Sequence, residues 1–224
     1  MNISKEQEEL FEKYYDLLIK WNSKINLTAI TEKDEVWLKH FKDSLSLDRI
    51  LDLDNVETVI DVGTGAGFPG IPLKIVHPHL KLTLIDSLDK RIRFLNTVID
   101  ELSLENVITI HGRAEDLAQM DMHREKYDLC VSRAVAALPV LTELCIPFVS
   151  IGGHFVSYKA EKASEEIRSA EKIIRLTGSV LNDVKEFKLS GSDISRTLIK
   201  IEKIDITPSK YPRRAGLPAK KPII

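Results

Sequence analysis

The stretch TVIDVGTGAGFPG, from Thr58 to Gly70, decides the fold that this sequence predicts. It opens with three β-branched residues, Val59, Ile60 and Val62, which are typical of a buried parallel strand. Three glycines, Gly63, Gly65 and Gly67, then precede an apolar segment with helical character. Glycine permits the backbone angles of a tight turn and the close approach of a ligand to the main chain at a helix N-terminus. The stretch therefore predicts a strand, a glycine turn and a helix that form a nucleotide-type cradle.

The spacing of the glycines separates two classes of cofactor site. A dinucleotide-binding G-x-G-x-x-G pattern would place its third glycine at position 68, where this chain has Phe68. The chain carries D-x-G-x-G-x-G instead, with Asp61 still on the strand. This pattern resembles motif I of the class I S-adenosylmethionine-dependent methyltransferases, in which the acidic residue and the glycine loop hold the amino-acid end of the cofactor. An NAD-dependent oxidoreductase is correspondingly disfavoured.

The remainder of the sequence alternates strands and helices. Strands are predicted over Val56–Val62, Leu80–Asp86, Val107–His111, Tyr127–Ser132 and Gly153–Tyr158. Two further alternating runs, Val180–Leu189 and Arg196–Ile204, flank a Ser-Gly-Ser turn and predict an antiparallel hairpin. The clearest helix runs from Ser87, its expected N-cap, to Leu102, with Lys90, Arg91 and Arg93 on a solvated face. We predict an α/β, Rossmann-like class I methyltransferase fold: a mostly parallel seven-stranded sheet with helices on both faces.

The two ends of the chain differ from this central pattern. Residues from Ser4 to Trp21 repeat apolar side chains every three or four positions, which predicts an amphipathic helix capped by Ser4 and Gln7. Lys210 to Ile224 holds five of the 32 basic residues and none of the 34 acidic residues. We therefore divide the chain into a helical N-terminal cap (1–53), a cofactor-binding core (54–206) and a basic C-terminal tail (207–224). Such a tail attracts polyanions, although basic termini often serve only solubility.

Bulk composition bounds the class of protein. With 224 residues, 43% hydrophobic and 29% charged, the chain has an ordinary globular composition. The segment MNISKEQEEL lacks the features of a signal peptide, and no run of eighteen apolar residues occurs, so we expect a cytoplasmic protein without a membrane partner. Cys130 and Cys145 belong to no C-x-x-C or His-rich pattern, so we expect core residues and no metal site.

Two strand ends offer candidates for contacts to an adenosine. Asp86 ends the second predicted strand, about twenty residues after the glycine loop, where a carboxylate can accept hydrogen bonds from ribose hydroxyls. Ala114 and Glu115 follow the third strand and could supply an amide and an acceptor to the adenine edge. The same dipeptide is equally typical of a helix start.

The end of the fourth strand, Ser132-Arg133-Ala134, bears on the methyl acceptor. The D/N-P-P-Y/F motif shared by enzymes that methylate exocyclic amines is absent from this position, and neither cysteine lies in a loop beside a proline, as methylation of pyrimidine carbon five requires. A ring nitrogen such as guanine N7 has an in-plane lone pair and needs no base, so orientation can supply most of the catalysis. Arg133 could stack on or hydrogen-bond a guanine, or could equally pair with a carboxylate.

Seven segments together resemble one family over nearly the whole chain. They are NLTAI (26–30), HFKDSL (40–45), DVGTGAGFPGIPLKI (61–75), DSLDKRIRFL (86–95), GRAED (112–116), SRA (132–134) and YPRRAGLPAKKP (211–222). Their order is similar to that of the bacterial small-subunit ribosomal RNA methyltransferase G family, also called glucose-inhibited division protein B. The resemblance implies methylation of guanosine N7 in a decoding-region loop of 16S ribosomal RNA, with S-adenosyl-L-methionine converted to S-adenosyl-L-homocysteine.

The resemblance also implies roles for individual residues. Cofactor contacts would come from Gly63, Phe68, Ala114, Glu115 and Arg133, besides Asp61, Gly65, Gly67 and Asp86. Arg133 and His40 would be catalytic. RNA would be held by Lys159, Arg213, Arg214, Lys220 and Lys221. We expect a monomer whose partner is 16S ribosomal RNA or the small ribosomal subunit.

Alternative functions remain open at this level. The same fold serves small-molecule and protein methyltransferases, which would be expected to carry substrate-covering insertions that this chain lacks. A non-catalytic regulator that senses S-adenosylmethionine, or binds RNA through its tail, is also compatible with the sequence.

Overall fold

The computed structural model of the protein describes residues 3–160 and 163–224. Within them a single seven-stranded sheet has the strand order β3-β2-β1-β4-β5-β7-β6. Its strands are β1 (Thr58–Val62), β2 (Lys81–Asp86), β3 (Val107–His111), β4 (Tyr127–Arg133), β5 (Val149–Lys159), β6 (Ser179–Lys188) and β7 (Ser195–Lys203). The first five are mutually parallel, whereas β7 runs antiparallel to both β5 and β6. The predicted fold class is confirmed, including the terminal hairpin.

Helices connect the strands and form the N-terminal region. They are α1 (Lys5–Ile25), α2 (Lys33–Val36), α3 (Gly70–Val76), α4 (Asp89–Glu101), α5 (Ala114–Leu117), α6 (Leu138–Cys145), α7 (Ser164–Leu176) and α8 (Leu217–Lys220). A π-helical turn, Trp37–Lys42, follows α2 directly, and short 3-10 segments occur at Leu45–Arg49 and Ile146–Phe148. None of the helices in the described ranges is both long and apolar enough to cross a membrane.

Each face of the sheet carries its own hydrophobic core because successive strand residues point to opposite sides. On one face, Val59, Leu82 and Val131 pack with α3, α4 and the N-terminal helical region. On the other, Ile60, Cys130 and Phe155 pack with α5, α6 and α7. Cys130 and Cys145 are both fully buried there, as expected for core residues.

The N-terminal helix α1 is fixed at its start and along its buried side. Ser4 and Gln7 form the expected capping box, and Gln7 Nε2 also donates to the carbonyls of Ile75 and Val76 at the end of α3. Tyr14 is completely buried, and its hydroxyl donates to the Ala66 carbonyl in the glycine loop. The cap therefore packs directly on the cradle.

The start of α4 corrects one sequence expectation. Leu88, and not Ser87, is the N-cap residue, and it makes no side-chain capping bond. The Asp86 carboxylate takes over this function, because its Oδ1 accepts a hydrogen bond from the Leu88 amide at 2.9 Å. A strand-end carboxylate thus satisfies one of the amides exposed at the helix start.

The C-terminal segment is packed against the core and is not a free tail. The Arg124 guanidinium donates to the carbonyls of Thr207 and Tyr211, at 2.8 and 2.9 Å. Tyr211 is buried, and the amide of Gly216 donates to Glu115 Oε1 at 2.8 Å. The division at residue 207 therefore remains a prediction from composition, since these contacts join residues 207–224 to the sheet layer.

Candidate active site

A cleft opens where β1, β2 and β4 end, at the carboxyl edge of the sheet. Open α/β sheets characteristically bind ligands there. Six of the predicted site residues line this cleft: His40, Gly63, Gly65, Phe68, Asp86 and Arg133. Four others, Asp61, Gly67, Ala114 and Glu115, do not line it. The structure thus brings most of the predicted catalytic and cofactor residues together and separates the rest.

Two glycines, Gly63 and Gly65, line the cleft. Gly65 has φ of +62°, and a Cβ added there would meet no atom within 4 Å. Gly63 has φ of +71°, and its added Cβ would lie 2.6 Å from a methyl of Val135, a residue in the loop after β4. Gly65 is therefore the position at which a side chain would occupy space open to a ligand.

Gly67 needs to be glycine for a different reason, and its assignment to the cofactor cradle stays a prediction. At φ of +95°, an added Cβ would lie 2.6 Å from the Tyr14 hydroxyl, 2.7 Å from Ile71 and 3.0 Å from Leu95. These atoms belong to α1, α3 and α4, so the third glycine makes room for the cap. The D-x-G-x-G-x-G pattern alone does not distinguish this demand from ligand binding.

The buried carboxylate of Asp61 is hydrogen-bonded to two residues of the glycine loop segment, Thr64 and Gly70. Its Oδ2 accepts from the Thr64 hydroxyl at 2.8 Å and from the Gly70 amide at 2.9 Å. Oδ1 is buried without a partner among the described residues. Burial raises the pKa of Asp61 to about 7, against the lowering effect of the bonds from Thr64 and Gly70. Asp61 therefore shapes the loop, and a direct contact to the cofactor stays a prediction.

Asp86 joins the glycine loop to α4. Its Oδ2 accepts from the Gly65 amide at 3.0 Å and from Arg91 Nη1 at 3.1 Å. Arg91, predicted on a solvated helix face, instead lines the cleft and pairs with this buried carboxylate. With the Leu88 bond, the carboxylate accepts from three donor groups, and Arg91 Nη1 also lies 3.5 Å from Oδ1. A contact from Asp86 to a ribose hydroxyl stays a prediction.

An aromatic stack forms one wall of the cleft. The His40 ring lies on the Phe68 ring, with centroids 4.6 Å apart and planes 22° apart. His40 Nε2 lies 2.8 Å from the Thr28 hydroxyl. Burial, aided by the nearby charge of Arg133, lowers the pKa of His40 to about 4. The imidazole is therefore uncharged at neutral pH and stays in the plane of the stack.

Arg133 is tied to the N-terminal cap. Its Nη1 donates to Asp43 Oδ2 at 2.9 Å and to the Lys39 carbonyl at 3.2 Å, and its guanidinium lies 5.0 Å above the Phe68 ring. Only 12% of the side chain is exposed. The interpretation of Arg133 as an arginine paired with a carboxylate is thus the one that the contacts support, and its contact to cofactor or base stays a prediction.

Glu115 and Ala114 begin the short helix α5. Glu115 is buried and accepts from the Gly216 amide, so its carboxylate anchors the C-terminal segment. Neither residue faces the cleft lined by Gly65 and Asp86. Their contact to an adenine edge remains a prediction, and the helix-start interpretation agrees with the structure.

The predicted RNA-binding cations fall into two groups. Lys159 donates to Glu166 at 2.7 Å and to the Ala136 carbonyl at 2.9 Å, and Arg213 forms a two-pronged pair with buried Glu143 at 2.7 and 2.8 Å. Lys159 and Arg213 are therefore each paired with a carboxylate, and their contact to RNA stays a prediction. The remaining three, Arg214, Lys220 and Lys221, are exposed and have no side-chain partner among the described residues.

Sequence reasoning missed Thr28 and Arg91, which line the cleft, and Asp43, which pairs with the cleft residue Arg133. Thr28 and Asp43 lie inside the segments NLTAI and HFKDSL, so the family resemblance marked their neighbourhoods without assigning them a partner. Their contacts to His40 and Arg133 join residues 12 and 90 positions apart. No local pattern reports such a distant pairing.

The cleft fits S-adenosylmethionine by its own features. The open space at Gly65 gives a ligand access to main chain, and the carboxylate of Asp86 lies beside it. Phe68 and His40 supply an apolar, aromatic wall. In the described ranges, no group of three or more His, Cys, Asp or Glu residues could hold a metal ion.

The fold and this cleft define a class I S-adenosylmethionine-dependent methyltransferase. Two solved structures share the fold: M. jannaschii TYW2 in complex with AdoMet (TM-score 0.56, 19% identity, covering 74% of this chain and 76% of that one) and a SAM-dependent methyltransferase from Aquifex aeolicus (TM-score 0.54, 16% identity, 76% and 93%). At such low identity these matches show a shared fold and nothing further.

Sequence relatives place the chain within that class. The family model "rRNA small subunit methyltransferase G" matches residues 7–198. Ribosomal RNA small subunit methyltransferase G of Alkaliphilus metalliredigens is 54% identical over 210 residues, which cover 94% of this chain and 88% of the relative. The protein of that name from Bacillus subtilis is 49% identical over 223 residues, covering 100% and 93%. The chain belongs to the rRNA small subunit methyltransferase G family, which confirms the resemblance drawn from its motifs.

Proposed function

We propose that this protein transfers the methyl group of S-adenosylmethionine to N7 of a guanosine in 16S ribosomal RNA. The observation that carries the proposal is the chemistry of the cleft wall. Its imidazole, His40, is uncharged and bonded to Thr28, and its carboxylate, Asp86, already accepts hydrogen bonds from three donor groups. A cleft whose acceptor groups are already engaged suits a methyl acceptor that carries no proton on the reacting atom, because no proton has to be removed.

Guanine N7 is such an acceptor, because its lone pair lies in the ring plane and is free to attack. When bound, S-adenosylmethionine supplies an electrophilic methyl group on a sulfonium. The protein's task is then to bring the two reacting atoms into line, and orientation of this kind can lower a barrier substantially.

Each side of the cleft has a part in this positioning. The main chain at Gly63 and Gly65 and the carboxylate of Asp86 would hold the cofactor at the ends of β1 and β2. The stacked rings of Phe68 and His40 and the guanidinium of Arg133 also line the cleft. Aromatic and guanidinium planes are the surfaces on which unstacked RNA bases pack.

Electrostatic attraction to RNA is assigned to the exposed cations of the C-terminal segment. Arg214, Lys220 and Lys221 are exposed and have no side-chain partner among the described residues, whereas Lys159 and Arg213 each pair with a carboxylate. The bond from Gly216 to Glu115 attaches this segment beside the carboxyl end of β3, at the edge of the sheet where the cleft opens. We further propose a cytoplasmic monomer that acts on 16S RNA or the small subunit.

The proposed function is tested by locating the modified nucleotide. We expect 16S RNA from cells that carry the gene to show one 7-methylguanosine, detected by reduction and strand cleavage, that is missing from cells without it. Purified protein should transfer labelled methyl groups to RNA from the deficient cells, and a folded Gly65→Val variant should not. Label in another nucleoside, in protein or in a small molecule would refute the N7 assignment, and cofactor binding without any transfer would favour the regulator.

A further inference from the structure

Asp43 joins two strands of the sheet to the N-terminal cap. It follows the π-helical turn Trp37–Lys42, and only 4% of the residue is exposed. Its Oδ2 lies 2.9 Å from Arg133 Nη1 at the end of β4, and its Oδ1 lies 2.8 Å from Arg196 Nε on β7. One buried carboxylate therefore pairs with two guanidiniums that come from different strands.

The pair with Asp43 is the strongest of the contacts that orient Arg133. The other contacts of its guanidinium are weaker: carbonyls of Lys39 and His40 at 3.2 and 3.4 Å, and His40 Nδ1 at 3.3 Å. Charge-assisted hydrogen bonds are about twice as strong as neutral ones. The direction of the Arg133 side chain is accordingly set by the cap residue Asp43.

This arrangement leaves part of the guanidinium unused. Nη1 is occupied by Asp43 and the two carbonyls, and Nη2 contacts His40. Nε of Arg133 has no acceptor among the described residues, and Nη2 keeps a second hydrogen. Because Arg133 lines the cleft, these free donors are available to a group bound there.

The second arginine completes the electrostatic balance. Without a carboxylate between them, Arg133 and Arg196 would be two partly buried like charges, and they would repel one another. With Asp43 in place, the three groups carry one net positive charge, and both arginines can remain fixed. Tyr158, whose hydroxyl donates to the Ser44 carbonyl at 2.7 Å, further fixes the cap at this point.

We propose that Asp43 is a positioning residue for methyl transfer, which holds Arg133 so that its free donors face the reacting groups in the cleft. The inference rests on the proposed function only in requiring that the cleft performs methyl transfer to RNA. It assigns no contact between Asp43 and substrate, since Asp43 acts through Arg133.

The test is a double-mutant cycle of Asp43→Asn and Arg133→Ala, with kcat and KM measured from total label transferred to RNA. Asp128→Asn is the matched control, because Asp128 bonds Thr58 at the opposite end of the same strand β4. Thermal melting gives the folded fraction of each variant. We expect Asp43→Asn to lower kcat by about tenfold or more, since small misplacements in an active site are costly.

In the Arg133→Ala background, Asp43→Asn should change kcat by less than about twofold, because residues that act as a unit are not additive. Arg196→Ala, which leaves the Asp43 to Arg133 pair intact, should retain more activity per folded molecule than Asp43→Asn. The proposal is overturned if the single losses multiply in the double variant, or if Asp43→Asn matches Asp128→Asn in kcat. The cycle measures total label transferred to RNA, whichever nucleoside is methylated. A product other than 7-methylguanosine would therefore refute the proposed function, but the double-mutant cycle would still test the role of Asp43.

Discussion

Two alanine substitutions in the glycine loop should have different main effects, because Gly65 and Gly67 are glycines for different physical reasons. At Gly67 a Cβ would lie 2.6 Å from the Tyr14 hydroxyl and 2.7 Å from Ile71, at φ of +95°. At Gly65 it would meet nothing within 4 Å, at φ of +62°. Gly67→Ala should therefore affect folding, and Gly65→Ala should affect binding.

The magnitudes follow from the two environments. A left-handed backbone costs an alanine about 1–2 kcal/mol, and overpacking a dense core costs about 1–3 kcal/mol more. We expect Gly67→Ala to lose about 2–5 kcal/mol of unfolding free energy and Gly65→Ala about 1–2 kcal/mol. For a chain of this size, 1 kcal/mol corresponds to about 2–4 °C in Tm. The methyl group at Gly65 would occupy space in the cleft, and we expect the Kd for S-adenosylmethionine to rise at least about tenfold, or about 1.4 kcal/mol.

Denaturant unfolding and calorimetric titration of both purified variants measure these effects separately. Titrations should be made at a temperature at which each variant is fully folded, so that cofactor affinity is compared between native states. The reasoning would be refuted if Gly65→Ala bound the cofactor as tightly as wild type. It would equally be refuted if Gly67→Ala unfolded like wild type and lost only affinity.

Three further measurements address the charged groups. Arg213→Ala should cost about 3 kcal/mol of unfolding free energy, because Glu143 would be left buried without its cation. Arg214→Ala should leave stability within about 0.5 kcal/mol and flatten the slope of log RNA affinity against log salt by about 0.7–0.9. Equal stability of the two variants would contradict this prediction. The pKa of Asp61 is raised in the folded protein, so the folded protein keeps the carboxyl proton at a pH at which the unfolded chain has lost it. The free energy of unfolding should therefore fall by up to about 4 kcal/mol as the pH rises from 4 to about 7. Asp61→Asn cannot titrate, and parallel stability profiles of wild type and this variant between pH 4 and 8 would exclude the effect. Because the pKa of His40 is lowered to about 4, His40 should cause no inflection near pH 6.5 in the pH profile of kcat/KM. An inflection near pH 6.5 in the wild type that is missing from His40→Gln would contradict this prediction.

The sequence by itself determined the fold class, the order of the elements and the family. Strand and helix periodicity is local, so β1, α4 and the β6 to β7 hairpin could be located to within a few residues from spacing alone. The glycine loop and the strand-end Asp86 were likewise found from chain position, because parallel strands end at a common edge.

Only the tertiary structure decided which of the marked residues face the cleft. Gly67 and Arg213 lie in segments that resemble the family, yet the groups nearest to them, Tyr14 and Glu143, come from distant parts of the chain. Lys159 pairs with Glu166 in the first turn of α7, the helix that follows its strand. A charge pattern cannot show whether an arginine is free, because a buried carboxylate 70 residues away can pair with it. For Asp43, conversely, the sequence pattern gave no indication of a role. Its importance arises because packing brings the ends of β4 and β7 to the cap, where a single carboxylate can hold both arginines.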